Sequence, residues 1–195
     1  MTGAVRDIYW TPWDDPGCEH LHLTLSDDGA QAHGFILRRW DGRHIRCRYQ
    51  LDTDPEWRFR NLSIAVMPID GAGGARLELE SDGQGRWRAD GEARPDLEGC
   101  IDVDIQVTPF TNVLPIRRLG LSEGEGSDQR MAYVSLPGLE VAVDEQRYTC
   151  LKRLGADGGR YRYEAIGDDF EAELPTDAEG LVMDYPTLFR RSWPR

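Results

Sequence analysis

The sequence predicts an all-β protein, a single many-stranded antiparallel domain of barrel-like shape over residues 1–195 with little helix. Two observations predict this fold class. Apolar and polar residues alternate along most of the chain, which is the period of a half-buried strand. Clusters of Gly, Asp, Asn and Pro interrupt the alternation at short intervals, as turns between strands do.

The alternation predicts roughly a dozen strands. Their expected ranges are 21–25, 35–40, 44–51, 57–67, 75–81, 85–90, 100–108, 113–121, 130–136, 139–154, 160–166, 170–174 and 181–186. The only helix expected is a short turn near the C-terminus. A meander of this kind must close or cover its edges, because open strand edges invite aggregation.

Arginines occupy alternate positions in several predicted strands, and apolar or aromatic residues lie between them. The arginine pairs are Arg46 and Arg48, Arg58 and Arg60, Arg86 and Arg88, and Arg160 and Arg162. The expected arrangement is a solvated arginine face opposite a buried face. In a closed barrel one face is the lumen, and alternation alone does not decide which face is polar.

Composition excludes some classes of partner. The formal net charge of −12 repels phosphate backbones and anionic membrane surfaces, so nucleic acid is not an expected partner. The four cysteines lie far apart without a C-x-x-C motif, which fits neither a zinc site nor a disulfide scaffold. No apolar run has the length of a signal peptide or a membrane-spanning helix. We expect a cytoplasmic protein that does not span a membrane.

Two short stretches match motifs of catalytic or metal sites, but the residues around them do not fit such sites. GLSEG at 120–124 matches a nucleophile elbow, but a polar loop follows it and all four histidines precede it. His20 and His22 share one strand face, yet no third metal ligand follows at a recognisable spacing. The sequence therefore assigns no catalytic residue, no metal and no cofactor.

The stretch 99–119, GCIDVDIQVTPFTNVLPIRRL, carries the most informative polar residues. Asp102 and Asp104 share one face of a predicted strand. The Pro-Phe-Thr-Asn turn predicts a hairpin whose return strand brings Arg117 or Arg118 opposite Asp104. Asp104 is expected to pair with an arginine, so that its replacement by alanine destabilises more than that of Asp102, which stays free for a ligand.

Three interpretations of this stretch stay open. Asp102 and Asp104 lie about 6.6 Å apart along a strand, close to the spacing of an inverting glycosidase, although every D-x-D strand shares that spacing. The Asp–Arg pairing can instead be structural and fix the register of the hairpin. In the third interpretation the polar face lines a cavity, where Asp102, Asn112 and an arginine hydrogen-bond a ligand head group.

The same stretch resembles the central signature of a bacterial glycolipid-binding protein family long regarded as of unknown function. The resemblance extends over nearly the whole chain. It includes GCEHLHL at 17–23, YQLDTDPEWRFRNLSI at 49–64, GRWRADGEARPDLEGCIDVDI at 85–105 and LVMDYPTLFRR at 181–191. This sequence has Val113 where the family is expected to have a threonine, which weakens a hydroxyl role at that position.

The resemblance implies a single all-β domain similar to bacterial lipoprotein carriers, which hold acyl chains in an apolar concavity. It implies a binding protein for an amphiphilic small molecule, with a glycolipid as the leading candidate. The ligand-binding residues that it implies are Asp102, Asp104, Thr111, Asn112, Arg117 and Arg118, with Trp57, Trp87 and Tyr185 as wall residues. The rival functions are a hydrolase that acts on a sugar or lipid ester through Asp102 and Asp104, and a protein-interaction module without a small-molecule site.

Overall fold

The computed structural model describes residues 3–68 and 73–194, which form fifteen strands in two sheets. The predicted all-β class is confirmed, and within the described residues the sheets do not close into one ring. The strands are β1 (Ala4–Pro12), β2 (Gly17–Ser26), β3 (Gly29–Trp40), β4 (Arg43–Thr53), β5 (Phe59–Val66), β6 (Ala75–Ser81), β7 (Trp87–Ala89), β8 (Glu92–Ala93), β9 (Asp102–Ile105), β10 (Gly126–Val134), β11 (Val141–Gly155), β12 (Gly158–Ala165), β13 (Phe170–Thr176), β14 (Asp184–Tyr185) and β15 (Phe189–Trp193).

The first sheet has ten strands in the order β14-β15-β1-β2-β3-β4-β5-β6-β7-β8. All of its neighbouring strands are antiparallel, and β15 pairs with β1, so the first and last strands of the chain lie side by side. Alternate residues such as Leu21, Leu23 and Ile36 are buried on its inner face. The outer face of the same strands carries polar residues such as His33.

The second sheet has five strands in the order β13-β12-β11-β10-β9. Strand β9 runs parallel to β10, because the chain between them passes through helical turns rather than a tight hairpin. One hydrophobic cluster contains Leu51 and Ile64 of the first sheet together with Val103 and Val134 of the second. The two sheets therefore pack over a shared core.

The predicted hairpin at 99–119 is wrong, because the chain after β9 becomes helical. A 3-10 helix covers Phe110–Asn112, and the α-helix α1 covers Val113–Leu119. Pro115 lies in the first turn of α1, where a missing N–H is tolerated. Gly120 follows the last helical residue with φ 56°, a left-handed conformation that ends many helices. Pro115 and Gly120 therefore mark the beginning and the end of a short helix.

Further differences concern the ends of the chain and one short strand. The strands β1, β8 and β15 are not among those predicted. The helix expected near the C-terminus is wrong, since β14 and β15 occupy that region. No helix in the described part of the chain has the length and apolar character needed to cross a membrane.

The alternating arginines lie on the solvated faces of their strands, as expected. Arg46, Arg48, Arg88 and Arg160 are exposed, and the residues that alternate with the arginine pairs are buried: Cys47, Tyr49, Phe59, Trp87 and Tyr161. All four cysteines are unpaired, and three of them are buried. The arginine faces of these strands are therefore the solvated faces, and the interior is built from the apolar ones.

Candidate ligand-binding cavity

A cavity of about 370 Å³ lies between the two sheets. Its volume falls within the usual range for small-molecule sites. The first sheet contributes residues such as Trp40 and Phe189, and the second contributes residues such as Asp104 and Tyr163. The lining residues are Trp40, Asp104, Ile105, Gln106, Thr108, Asn112, Tyr133, Asp144, Tyr163, Ala165, Asp168, Phe170, Tyr185, Leu188 and Phe189.

Asp104 projects into this cavity from β9. The parallel pairing of β9 with β10 sets Asp104 beside Tyr133, another lining residue. Thr111 Oγ1 donates a hydrogen bond to Asp104 Oδ1 at 2.7 Å, and Gln146 Nε2 donates to Oδ2 at 2.8 Å. Burial raises the pKa of the Asp104 carboxyl, and these two hydrogen bonds oppose the rise. Asp104 is therefore a fixed acceptor in a site of low polarity.

Gln146 joins Asp104 to a second carboxylate, Asp144. Its Nε2 donates to Asp104 Oδ2 and to Asp144 Oδ2, each at 2.8 Å. Because both oxygens bind one amide nitrogen, they lie roughly 5 Å apart or closer. The Tyr148 hydroxyl lies 3.3 Å from Gln146 Oε1 and 3.0 Å from Asn112 Oδ1. A buried hydrogen-bond network thus fixes both carboxylates and the lining amide of Asn112.

Aromatic rings form another part of the lining. The ring of Tyr163 lies 6.0 Å from that of Phe170 and 6.1 Å from that of Tyr185, in edge-to-face arrangements. Tyr185 in turn lies 6.4 Å from Phe189. Burial raises the pKa of Tyr163 and Tyr185, so that their hydroxyl groups stay protonated. The rings offer apolar faces together with neutral hydrogen-bond donors.

Glu19 is a buried carboxylate in contact with the cavity lining, and the sequence prediction missed it. Its Oε1 accepts hydrogen bonds from Tyr49 Oη at 2.6 Å and from the lining residue Thr108 at 2.7 Å. Its Oε2 is buried without a partner among the described residues. Burial raises the pKa of Glu19 to about 7. The signal was present in the sequence, because Glu19 shares its strand face with Leu21 and Leu23.

Arg38 lies behind two rings of the lining. Its guanidinium carbon sits 4.6 Å from the ring centroids of both Trp40 and Phe189. Burial lowers the pKa of Arg38 to about 10, while Asp15 and Glu19 oppose that change. The cation–π contacts hold both wall rings in place, and the positive charge lies beside the lining rather than in it.

The expected pairing of Asp104 with an arginine is wrong, and Asp102 carries that pair. Arg118 Nε and Nη2 donate to Asp102 Oδ2 at 2.9 and 2.7 Å, and Asp102 is fully buried. Burial raises the pKa of Asp102, and the hydrogen bonds from Arg118 oppose the rise. The expected ranking of alanine variants is therefore reversed, since Asp102→Ala strands a partly buried arginine and Asp104→Ala does not.

The structure brings three of the nine predicted ligand-binding residues together around the cavity. These are Asp104, Asn112 and Tyr185. Thr111 is fully buried and reaches the site only through its hydrogen bond to Asp104. The cavity lining therefore includes both side-chain amides of the stretch 99–119, Gln106 and Asn112, and one of its two aspartates, but neither of its arginines.

The remaining predicted residues lie away from the cavity lining. Arg117 stacks on Trp57, with its guanidinium carbon 4.6 Å from the ring centroid. Trp87 is buried in the core, where its ring stacks on Phe59 at 4.8 Å. These aromatic residues stabilise the fold around their own contacts.

The histidines of β2 share a carboxylate partner. Asp7 Oδ1 lies 3.0 Å from His20 Nε2 and 2.9 Å from His22 Nδ1. Hydrogen bonds from His22 and His20 lower the pKa of Asp7. Within residues 3–68 and 73–194, no group of three or more His, Cys, Asp and Glu side chains is arranged to hold a metal ion.

A larger groove of about 720 Å³ runs past the β3–β4 turn and Pro137. Its described lining residues include Arg43, Met67 and Glu140, and none of them is a Trp, Tyr or Phe. The cavity between the sheets is the better-defined site, because carboxylate, amide and aromatic groups converge there.

Fold and site define a two-sheet, all-β protein with an acidic and aromatic cavity between its sheets. The chain belongs to the family described as "Putative glycolipid-binding", whose model matches residues 7–191. A crystallised DUF1089-family protein from Pseudomonas aeruginosa is similar, with 39% identity and a TM-score of 0.76. That match covers 92% of this chain and 95% of the other. No curated protein matches the sequence.

Proposed function

We propose that the protein binds an amphiphilic small molecule and that its ligand is a glycolipid. The observation that carries this proposal is the convergence of Asp104, Asp144 and Asn112 with several aromatic rings around one cavity. A few fixed polar groups among aromatic side chains are typical of small-molecule sites. Membership of a family described as glycolipid-binding supports the same class of ligand.

The size of the cavity favours the head group as the part that it encloses. A volume of about 370 Å³ corresponds to about a dozen water molecules. That space suits one sugar ring with its substituents, whereas the acyl chains of a lipid need additional room. We propose that the sugar enters the cavity and that the chains extend beyond it.

The charge of the lining favours a neutral, hydroxyl-rich head group. The charged lining residues are Asp104, Asp144 and Asp168, and no Lys or Arg is among the described lining residues. Sugar hydroxyl groups can donate to these carboxylates, while an anionic phosphate would be repelled by them. The faces of Tyr163 and Tyr185 can pack against the apolar C–H faces of a sugar ring.

We expect Asp144→Asn to weaken the binding of a neutral alkyl glycoside roughly tenfold, because it removes a charged acceptor from the lining. Tyr185→Ala is expected to weaken binding by a similar factor, because it removes a stacking surface. Titration calorimetry measures both values. The matched control is Asp157→Asn, a carboxylate in the exposed β11–β12 turn, which should bind as the wild type does.

Native mass spectrometry of protein isolated from cells gives an independent test. Organic extraction should release a bound amphiphile, and the Asp144→Asn protein should carry less of it. A protein that carries no lipid and binds none of a panel of glycolipids would contradict the proposal. Equal affinities of the Asp144, Tyr185 and Asp157 variants would remove the cavity as the site.

Hydrolysis through Asp102 and Asp104 is disfavoured, because Asp102 is buried against Arg118 and does not line the cavity. One observation keeps a sugar hydrolase as a second candidate. Asp104 and Asp144 lie roughly as far apart as the two carboxyl groups of a retaining glycosidase. Turnover of a chromogenic glycoside that Asp104→Asn abolishes would establish this candidate. We favour binding because both oxygens of Asp104 already accept hydrogen bonds.

We also propose that residues 1–195 act as one unit in the cytoplasm and need no cofactor. The core shared by both sheets supports a single unit. The four unpaired cysteines fit a reducing compartment. Fractionation of cells that express the protein from its own gene tests the location.

A further inference from the structure

The outer face of the first sheet carries exposed apolar and aromatic side chains. We call Tyr9, Trp13, Phe35, Leu37 and Trp193 the aromatic patch. Phe35 is 45% exposed, Leu37 47% and Trp193 57%. Large apolar side chains that cluster on a surface usually mark an interaction site.

Strand pairing joins Trp193, Tyr9 and Phe35 of this patch into one row. Tyr9 lies opposite Trp193 of β15 and opposite His20 of β2, and His20 lies opposite Phe35 of β3. The rings of Tyr9 and His20 stack with centroids 4.6 Å apart, and the Trp193 ring lies 6.1 Å from Tyr9. Since neighbouring strands lie about 4.8 Å apart, the row from Trp193 to Phe35 is about 14 Å long.

Arginines continue the same rows across the sheet. Arg48 lies opposite Phe35, and Arg46 lies opposite Leu37. Arg76 of β6 extends the first row, because Ala65 lies opposite both Arg48 and Arg76. The rows that hold the aromatic patch therefore run into three arginines, which give this part of the face a local positive charge, although the net charge of −12 acts against the approach to an anionic surface.

Acidic residues lie outside these rows. Asp7 occupies the neighbouring row, where His20 and His22 hold it. Asp15 lies in the β1–β2 turn and contacts Arg39 at 3.4 Å. Glu78 of β6 ends the same neighbouring row, so the row beside the aromatic patch holds two acidic residues, while the rows of the patch itself hold none among the described residues.

We propose that this face docks on the surface of an anionic lipid bilayer. Aromatic side chains favour the interfacial layer of a membrane, and arginines beside them are attracted by anionic head groups. A second copy of the chain would place the same face of both copies in one two-fold contact, and self-association in solution is the outcome that would assign the face to it. The inference rests on the proposed function, since a glycolipid ligand resides in a membrane and must be collected there.

Sedimentation with vesicles tests the docking. The full-length protein should bind vesicles of phosphatidylglycerol and phosphatidylcholine, and added salt should weaken the binding. Arg46→Glu combined with Arg48→Glu should weaken it at least tenfold, given about fivefold for each cation at the surface. Tyr9→Ala combined with Phe35→Ala should also weaken it. The matched control is Arg160→Glu with Arg162→Glu on β12, which changes the net charge equally.

Equal binding to vesicles of phosphatidylcholine alone would overturn the proposal. An equal loss of vesicle binding in the Arg46/Arg48 variant and in the Arg160/Arg162 variant would overturn it as well. Self-association in solution that the Tyr9 and Phe35 changes abolish would assign the face to a second copy instead. The vesicles contain no glycolipid, and binding of an alkyl glycoside is measured without vesicles. Failure of docking is therefore distinguishable from failure of the ligand site.

Discussion

Arg118→Leu is expected to lower the free energy of unfolding by about 3–5 kcal/mol. The Asp102 carboxylate has no exposed surface, and Arg118 supplies the charge-assisted hydrogen bonds that hold it. Removal of the arginine leaves a buried charge without a partner. It also removes the hydrogen bond from Arg118 Nη2 to Gln129 Oε1 at 2.6 Å. Urea denaturation followed by circular dichroism measures the loss.

The control for this prediction is Arg147→Leu, which breaks the exposed pair with Asp128. Surface pairs of this kind contribute less than about 1 kcal/mol. Should Arg118→Leu not fold, Arg118→Lys keeps the charge but not the two-pronged geometry, and an intermediate loss is expected. Adding Asp102→Asn to Arg118→Leu should recover part of the stability. Equal losses at Arg118 and Arg147 would show that the buried pair is no more than a surface contact.

The same pair shows where prediction from sequence fails. A carboxylate of β9 was correctly expected to meet an arginine of 113–121, but the partner carboxylate was wrong. Seven helical residues advance about 10 Å along the chain, whereas seven strand residues advance about 23 Å. The register of an assumed hairpin therefore cannot be transferred to α1, where Arg118 reaches Asp102. The sequence predicted that an aspartate of β9 pairs with an arginine, but it did not predict which aspartate the helix geometry brings to Arg118.

Strands were predicted from the alternation of apolar and polar residues wherever their outer face is polar. The arginine faces of β4 and β12 follow this rule, and their buried partners were predicted correctly. Strand β1 escaped prediction because exposed Tyr9 lies between buried Ile8 and Trp10, which hides the alternation. Its pairing with β15 also shifts register between Tyr9 and Trp10. The exposed aromatic residues that obscure the strand period belong to the proposed docking face.

The lining residues of the cavity were predicted only where they come from one local segment of the sequence. Asp104 and Asn112 come from a single motif, and Tyr185 comes from a second motif of the family resemblance. Asp144 and Tyr163 reach the cavity because β11 pairs with β10 and β12, which no local pattern encodes. Long-range strand pairing, which sequence alone did not provide, thus determines most of the lining.

The wild-type protein is expected to lose about 3 kcal/mol of unfolding free energy through Glu19 as the pH rises from 4.5 to above 7. Burial raises the pKa of Glu19 from 4.5 to about 7, so the folded state holds this proton more tightly than the unfolded state. The stabilising contribution of the bound proton is complete below pH 4.5. It disappears as the pH passes through the folded-state pKa.

Glu19→Gln isolates this effect, because all other titrating groups are common to both proteins. Glutamine keeps an Oε1 acceptor for Tyr49 and Thr108, while its amide group does not titrate. The unfolding free energy of the variant relative to that of the wild type should increase by about 3 kcal/mol between pH 4.5 and about pH 8. Urea denaturation at a series of pH values gives both curves. Glu171→Gln, at an exposed position of β13, should give a difference that does not change with pH.

Parallel stability curves for the wild type and Glu19→Gln would show that Glu19 is not held protonated by burial. If the expected divergence is found, the wild type keeps a carboxylate that destabilises it above pH 7. Groups with such shifted pKa values concentrate at functional sites. Glu19 touches the lining through Thr108, and its Oε2 has no partner among the described residues. A variant that is more stable above pH 7 and binds the alkyl glycoside more weakly would make Glu19 part of the ligand site.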